Sequence, residues 1–306
     1  MITLNDLKKK WDSTTPYSNG FLQISEEHPL SVHVGYEGDQ RCFVILDTGR
    51  WESIESSKAV GAECIEYSKG KYGLKFLLKY PSLDELFIKL CWDLLDFSKS
   101  ESNPVQAVLD RYRSWLLLLQ KQRTGLLSFS RQKGLIAELM FFIDQCEYRE
   151  VDEVLSAWVG PEGCDQDFVF DNCWYEIKAT AKASDSVRIS SLQQLDRAEY
   201  GELIVLFMDK VSSDGTGAFS LPDVVEDVLL ILPNQALKDK LECKLAMYGY
   251  YYRDSQNYRD IYYDLSERRD YRVEDGFPIL SVHNVPHEII DAKYSIELAS
   301  IDCFKK

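Results

Sequence analysis

The sequence lacks the short motifs that identify several classes of enzyme. It has no GxxxxGKS/T phosphate-binding loop, no GxSxG nucleophile motif and only four histidines among its 306 residues. These absences argue against nucleotide binding by a loop of that form and against a serine or cysteine hydrolase. His283 and His287 lie four residues apart, but Pro286 between them disfavours a helix, so the pair is a poor candidate for zinc ligation.

Long hydrophobic runs and paired cysteines are also missing. The longest apolar stretch, from Leu203 to Met208, is too short to span a bilayer, and the N-terminal segment is polar without the apolar run of a secretory signal. The eight cysteines stand singly, and several lie within apolar runs, where cysteine acts as a small hydrophobe. We therefore expect a soluble, cytoplasmic protein with reduced thiols and no membrane association.

Basic residues are scarce relative to acidic ones. The chain has 35 lysines and arginines against 50 acidic residues, and its net charge of -15 opposes nonspecific attraction to nucleic acid. One stretch without an acid runs against this trend and is either a solvated helix face or a phosphate-tracking surface beside an active site. Its basic members are Arg111, Arg113, Lys121, Arg123, Arg131 and Lys133. Further along, a segment rich in tyrosine and arginine, from Met247 to Arg272, could stack on bases or form an edge or partner interface.

The sequence does contain clear changes of hydrophobic period. Alternating runs from Phe21 to about Lys79 predict a β-rich unit, and apolar residues at every third or fourth position from Pro81 to Cys146 predict three helices. Short strand-like runs, a helix from about Ser191 to Glu199 and an apolar strand are expected next. This order predicts an α/β or α+β core with a central mixed sheet, and we take the chain as a whole to be α+β. We divide it into a β-rich N-terminal domain (1–100), a core (101–215) and a C-terminal helical and β extension (216–306).

The segment DQDFVFDNCWYEIK predicts a hairpin with a charged face. Asp171-Asn172 suits a two-residue turn, and pairing outward from it sets Asp167 opposite Glu176 and Asp165 opposite Lys178. These four residues share one face, and the other face carries apolar residues of the core, namely Phe168, Phe170, Tyr175 and Ile177. Two opposed carboxylates destabilise a hairpin, so this register calls for a compensating cation.

A magnesium ion would satisfy that requirement, since it prefers carboxylate oxygens and keeps several waters. A metal-bound water has a lowered pKa and can act as a nucleophile, and Lys178 is placed to position it or to stabilise charge on a phosphate. Glu138 interrupts the apolar run GLIAELMFFIDQC, with Leu135 and Phe142 on its own helix face, so we expect it to point inward. A buried carboxylate of this kind needs a metal or a hydrogen-bond partner.

The pattern of a helical Glu138, then Asp167 at the start of a strand, then Glu176-Ile177-Lys178 on the neighbouring strand resembles the PD-(D/E)XK nuclease superfamily. The run SVRISSLQQLDRAEYGELIVLF is similar to the strand, glutamine-bearing helix and strand that continue that core. The resemblance covers about residues 130–210. One feature departs from the motif: EGCDQ separates Pro161 from the aspartate, which leaves Asp165 as a rival to Asp167.

The resemblance implies a restriction-endonuclease-like sheet and magnesium-dependent hydrolysis of DNA, with Mn²⁺ as a substitute metal. Asp167 and Glu176 would bind the metal, Lys178 would be the catalytic base or position the water, and Glu138 would be an auxiliary ligand. Gln194 is a candidate phosphate or supporting contact, as are Arg131 and Lys133.

The wider chain resembles the superfamily members found in bacterial restriction and phage-defence clusters. The implied partners are therefore DNA and co-encoded proteins such as a methyltransferase or an ATPase, with a homodimer as a further possibility. The alternative hypothesis is a noncatalytic adaptor that keeps the nuclease fold and binds protein or DNA within a defence complex.

Overall fold

The computed structural model describes residues 2–18, 20–51, 54–121, 125–212 and 217–306. Side chains 117–121 are outside that description. The chain forms two compact units, Met1–Arg123 with Lys238–Met247, and Thr124–Leu237 with Tyr248–Lys306. The three-part division expected from the sequence stays a prediction.

The first unit combines an antiparallel sheet with helices. The strands pair in the order β1-β2-β3-β5-β4, and every pairing among them is antiparallel. The alternating N-terminal runs therefore form strands, and the change of period after Pro81 marks the helices, as expected. The elements are α1 (Leu4–Asp12), β1 (Leu22–Gln23), β2 (Ser31–Glu37), β3 (Gln40–Leu46), β4 (Val60–Ser68), β5 (Lys71–Leu78), α2 (Asp84–Ser98) and α3 (Pro104–Lys121), with a 3₁₀ turn at Pro81–Leu83.

The two arginines of the basic stretch whose side chains are described in this unit are both paired with acids. The Arg111 guanidinium is buried against Asp93, with Nε 2.6 Å from Oδ2, and the Trp115 indole donates to the same carboxylate. Arg113 is exposed and paired with Asp110. Neither a solvated helix face nor a phosphate-tracking surface is the right interpretation for Arg111, because its charge is neutralised by Asp93 in the interior. The side chain of Lys121 and the whole of Arg123 lie outside the described residues.

The second unit is built on a mixed sheet of order β10-β11-β9-β7-β6. Its β7 and β9 are parallel, its other neighbours are antiparallel, and β8 pairs with β12 as a separate ribbon. The α+β class with a central mixed sheet is confirmed. The elements are α4 (Phe129–Gln145), α5 (Val151–Ala157), β6 (Phe168–Val169), β7 (Cys173–Thr180), β8 (Ser186–Ile189), β9 (Tyr200–Val211), β10 (Phe219–Ser220), α6 (Leu221–Ile231), β11 (Tyr262–Val273) and β12 (Tyr294–Glu297), with 3₁₀ turns at Gly160–Glu162, Tyr252–Tyr258 and Ala299–Phe304. The helix α7 (Gln235–Tyr248) begins and ends in this unit, but its residues 238–247 belong to the first unit.

The helix expected from Ser191 to Glu199 is absent, and the segment consists of turns and bends. Side chains form hydrogen bonds with main-chain N–H and carbonyl groups that a helix would use for its own hydrogen bonds. The Gln166 amide donates to the carbonyl oxygens of residues 193 and 194 at 2.7 and 3.2 Å, and Gln194 Oε1 accepts the Ser190 N–H at 2.7 Å. Local hydrogen bonds of this kind compete with helix formation.

Four rings of the tyrosine-rich segment are interior. Tyr250, Tyr258, Tyr263 and Tyr271 are all buried, so these four rings are not available to stack on bases. In the described part of the chain, no helix combines the length and the apolar character that a membrane span requires.

Candidate metal centre

The hairpin of β6 and β7 has the register expected from the sequence. Phe168 pairs with Tyr175 and Val169 with Trp174, and the Phe170 N–H donates to the Cys173 carbonyl at 2.8 Å. The apolar face packs on α4, where the Phe141 ring lies 4.9 Å from Phe168 and 4.8 Å from Tyr175 between centroids. The register is confirmed, and this packing fixes which face carries the charged residues.

The charged face brings Asp167, Glu176 and Lys178 together. Asp167 Oδ2 accepts the Ile177 N–H at 2.8 Å, which ties the aspartate to the neighbouring strand. Glu176 is 1% exposed, and its Oε1 lies 2.6 Å from Lys178 Nζ. Lys178 therefore supplies part of the positive charge that the two carboxylates require. Lys178 Nζ also donates to Gln194 Oε1 at 3.2 Å, so the turn segment after β8 holds the lysine from its other side.

Glu138 points inward from α4, as expected, and its carboxylate is buried. The fully buried Trp158 donates from Nε1 to Glu138 Oε2 at 2.7 Å, and the Tyr248 hydroxyl also hydrogen-bonds to the Glu138 side chain. The charges of Asp167 and Glu176 act on this carboxylate as well. Glu138 is thus the third acid of the cluster.

Gly160 leaves the space in which two of these acids meet. A Cβ at this position would lie 2.7 Å from Asp167 Oδ1 and 3.3 Å from Glu138 Oε2. The main-chain N–H groups of Val159 and Gly160 both donate to the Asp167 carbonyl at 2.9 Å. Pro161 follows and is buried, so Gly160-Pro161 remains against Asp167 despite the intervening residues.

Burial and crowding change the proton affinity of the acids. Burial raises the pKa of Glu176 to about 8, where the charge of Asp167 adds to the shift and Lys178 opposes it. Burial also raises the pKa of Asp167 to about 6, against the effects of Lys178 and the Ile177 N–H. Burial, then the charge of Asp167, raises the pKa of Glu138 well above its usual range. The cluster therefore favours a bound proton or another cation near neutral pH.

Lys178 stays cationic in this setting. Burial by itself would lower the pKa of Lys178, but the charges of Glu176 and Asp167 outweigh that effect and raise it. The lysine is consequently a donor of hydrogen bonds and positive charge.

The residues fit a hard divalent cation. Glu176 Oε2 is buried and has no hydrogen-bond partner, so one carboxylate oxygen is available to a cation. Within the described residues, no three His, Cys, Asp or Glu side chains form a set that could hold a metal ion. A magnesium ion needs only one or two carboxylates and keeps its waters, so Asp167 and Glu176 are the residues that would hold one.

The other expected residues lie at different places. Asp165 is exposed and accepts a hydrogen bond from Ser191 Oγ at 3.2 Å, and its charge is a minor contribution to the raised pKa of Glu176. Lys133 donates to the Met208 carbonyl at 3.3 Å, and Arg131 donates to the Tyr248 carbonyl. Gln194 joins the cluster through Lys178, whereas Arg131 and Lys133 are engaged with main-chain groups.

Sequence reasoning missed three contributors, namely Trp158, Gly160 and Tyr248. Gly160 stands directly before Pro161, so the proline that was weighed as part of the motif could have pointed to it. Trp158 and Tyr248 carry no local signal, because only the tertiary fold brings them to Glu138.

Comparison with family models finds a match over residues 7–299, to a family described as "Putative PD-(D/E)XK family member, (DUF4420)". No curated protein and no solved structure matches the chain.

Proposed function

This chain belongs to the PD-(D/E)XK family that its sequence matches, and from that membership we propose that it is a metal-dependent DNA endonuclease. The observation that carries the proposal is the unpartnered Oε2 of buried Glu176, which lies in a cluster with Asp167 and cationic Lys178. A site that served only to stabilise the fold would gain little from burying such a group, because an unsatisfied carboxylate oxygen is costly.

Each residue of the cluster has a part in the proposal. Asp167 and Glu176 hold the divalent cation, and Glu138 assists them. When bound, Mg²⁺ or Mn²⁺ supplies a lowered water pKa and positive charge for the phosphate. Lys178 acts as a cationic donor that orients the attacking water and stabilises charge on the phosphate. Gln194 keeps the lysine in place.

We propose further that the enzyme works in the cytoplasm within a restriction or phage-defence system. The net charge of -15 supports a partner that supplies phosphate-binding surface, because a strongly acidic chain captures DNA poorly unaided. A co-encoded methyltransferase or ATPase fits that need. A homodimer would provide the two sites required to cut both strands.

The test is cleavage of plasmid and phage DNA in Mg²⁺ or Mn²⁺ by the wild type and by Asp167→Asn and Lys178→Ala. We expect the wild type to cut and Lys178→Ala to lose on the order of a hundredfold or more in rate, because a charge-stabilising donor is removed. Asp165→Asn decides between the two aspartates, and we expect it to retain most activity. Asp291→Asn, a change at an exposed position outside the cluster, is the matched control.

Equal cleavage by the wild type, Asp167→Asn and Lys178→Ala would reject this site. If the wild type fails to cut with either metal, even when its co-encoded partners are present, the adaptor hypothesis replaces the nuclease.

A further inference from the structure

Tyr248, the last residue of α7, presents its hydroxyl to the acidic cluster of the second unit. The hydroxyl hydrogen-bonds to the Glu138 side chain, and the charges of Glu138 and Asp167 both act on it. Burial, followed by these two charges, raises the pKa of Tyr248 well above its usual value. An ordinary tyrosine hydroxyl, with a pKa of about 10, is already protonated near neutral pH, so this phenol is available as a donor.

The helix that carries Glu138 leaves room for this hydroxyl. Gly134 precedes Glu138 by one helical turn and lies on the same face. A Cβ at Gly134 would lie only 2.9 Å from Tyr248 Oη. Any larger residue at this position would have to displace the tyrosine from its place beside Glu138.

Arg131 holds Tyr248 from the opposite side. Its Nη2 donates to the Tyr248 carbonyl and its guanidinium lies 5.2 Å from the centroid of the ring. The Arg131 carbonyl oxygen lies 3.3 Å from Tyr248 Oη and is a second acceptor, beside Glu138, for the one hydroxyl proton. Gly249 follows with φ of +102°, a conformation that L side chains rarely adopt. These contacts hold both the main chain and the ring of Tyr248. The role they give Arg131 is to position Tyr248, and this role needs no contact with a phosphate.

We propose that Tyr248 is a positioning residue of the metal centre, which, with Trp158, orients the Glu138 carboxylate toward the divalent cation. This inference rests on the proposed function. Trp158 Nε1 and Tyr248 Oη are two donors on one buried acid, and partners of this kind fix the orientation of a ligand and increase its metal affinity.

The test is calorimetric titration of Mn²⁺ into the metal-free wild type, Tyr248→Phe and Tyr263→Phe. Tyr263 is a matched control because its buried hydroxyl also bonds to α4, but donates to Gln132 Oε1 at 3.0 Å and not to one of the three acids. We expect Tyr248→Phe to bind Mn²⁺ about ten- to a hundredfold more weakly. Tyr263→Phe should bind like the wild type, although both variants lose one buried hydrogen bond.

Gly134→Ala provides a second variant if Tyr248→Phe fails to fold. Alanine favours the helix, so folding is retained, but its Cβ pushes the hydroxyl away from Glu138. We expect the same weakening of Mn²⁺ binding, with the tyrosine still present.

The outcomes separate this inference from the proposed function. If the wild type binds Mn²⁺, Asp167→Asn abolishes binding, and both Tyr248→Phe and Gly134→Ala bind as tightly as the wild type, the inference is overturned and the metal centre stands. If the wild type itself does not bind Mn²⁺, the metal centre fails, and the role of Tyr248 fails with it.

Discussion

Glu176 combines burial, a raised pKa and an oxygen without a partner. Its ion pair with Lys178 satisfies Oε1, whereas Oε2 is buried without a hydrogen bond. A carboxylate in this state is stabilised by a proton or by a metal ion, so the two compete for the same residue.

The metal-free protein should lose stability as the pH rises through the pKa values of its clustered acids. The folded pKa values of about 6 for Asp167 and about 8 for Glu176 exceed the ordinary values of 3.8 and 4.5. When protonated, these two acids contribute to the free energy of unfolding. That contribution is fully present below pH 3.8 and is lost as the pH rises past the pKa values of the folded protein. We expect the free energy of unfolding, measured by urea denaturation in a chelator, to decrease from about pH 5 to about pH 8.

Glu176→Gln is the informative variant for this pH dependence. It removes the group with the higher pKa, so the decrease should be smaller above pH 6 in the variant than in the wild type. Curves that run parallel across the whole range would show that Glu176 does not titrate in this way.

At the scale of single residues, the sequence was informative where the chemistry is local. Counting outward from Asp171-Asn172 brought Asp167 and Glu176 together, because strand geometry fixes which residues share a face. Trp158 and Tyr248 were not predictable in this way. Their contacts with Glu138 depend on tertiary packing, which no local pattern records.

At the scale of elements, strands were predicted better than the segment that follows β8. Alternation and a turn signal identified β6 and β7, and an apolar run identified β9. The run SSLQQL has helical spacing, with Leu192 and Leu195 both buried, yet it forms turns. The amide of Gln166, which is distant in sequence, donates hydrogen bonds to two carbonyl oxygens of this segment. These bonds compete with the local preference of the segment for a helix.

The contact between β7 and β9 gives an element-scale prediction. A Cβ at Gly201 would lie 2.1 Å from the Trp174 ring, whose Nε1 donates to the Glu199 carbonyl. Gly201→Ala should therefore force these strands apart and destabilise the protein by about 1–3 kcal/mol or more, as overpacking does. Because Trp174 precedes Glu176 by two residues, Mn²⁺ binding should weaken as well.

Urea denaturation measures this effect, with Gly61→Ala as the control. A Cβ at Gly61 would meet the flexible end of Lys79 at 3.2 Å, a contact that can relax. A stability loss for Gly201→Ala no greater than that for Gly61→Ala would mean that the Trp174 contact is not tight.

At the scale of the whole molecule, the α+β class and the mixed sheet were predictable from the order of periodic segments. The family match over residues 7–299 extends well beyond the segment around the acidic cluster. The division into units was harder to predict, because residues 238–247 belong with the N-terminal part of the chain despite their distance in sequence. The charge of -15 predicts weak DNA binding by the chain alone, which stays a prediction, and it carries no information about a local cluster of acids.

The most direct measurement is anomalous diffraction at the manganese edge from crystals equilibrated with Mn²⁺. The account predicts a peak within coordination distance of Asp167 and Glu176 oxygens, including the free Oε2 of Glu176, and no such peak in crystals of Asp167→Asn. A manganese peak elsewhere with none at this cluster, or no ordered manganese at saturating concentration, would contradict it.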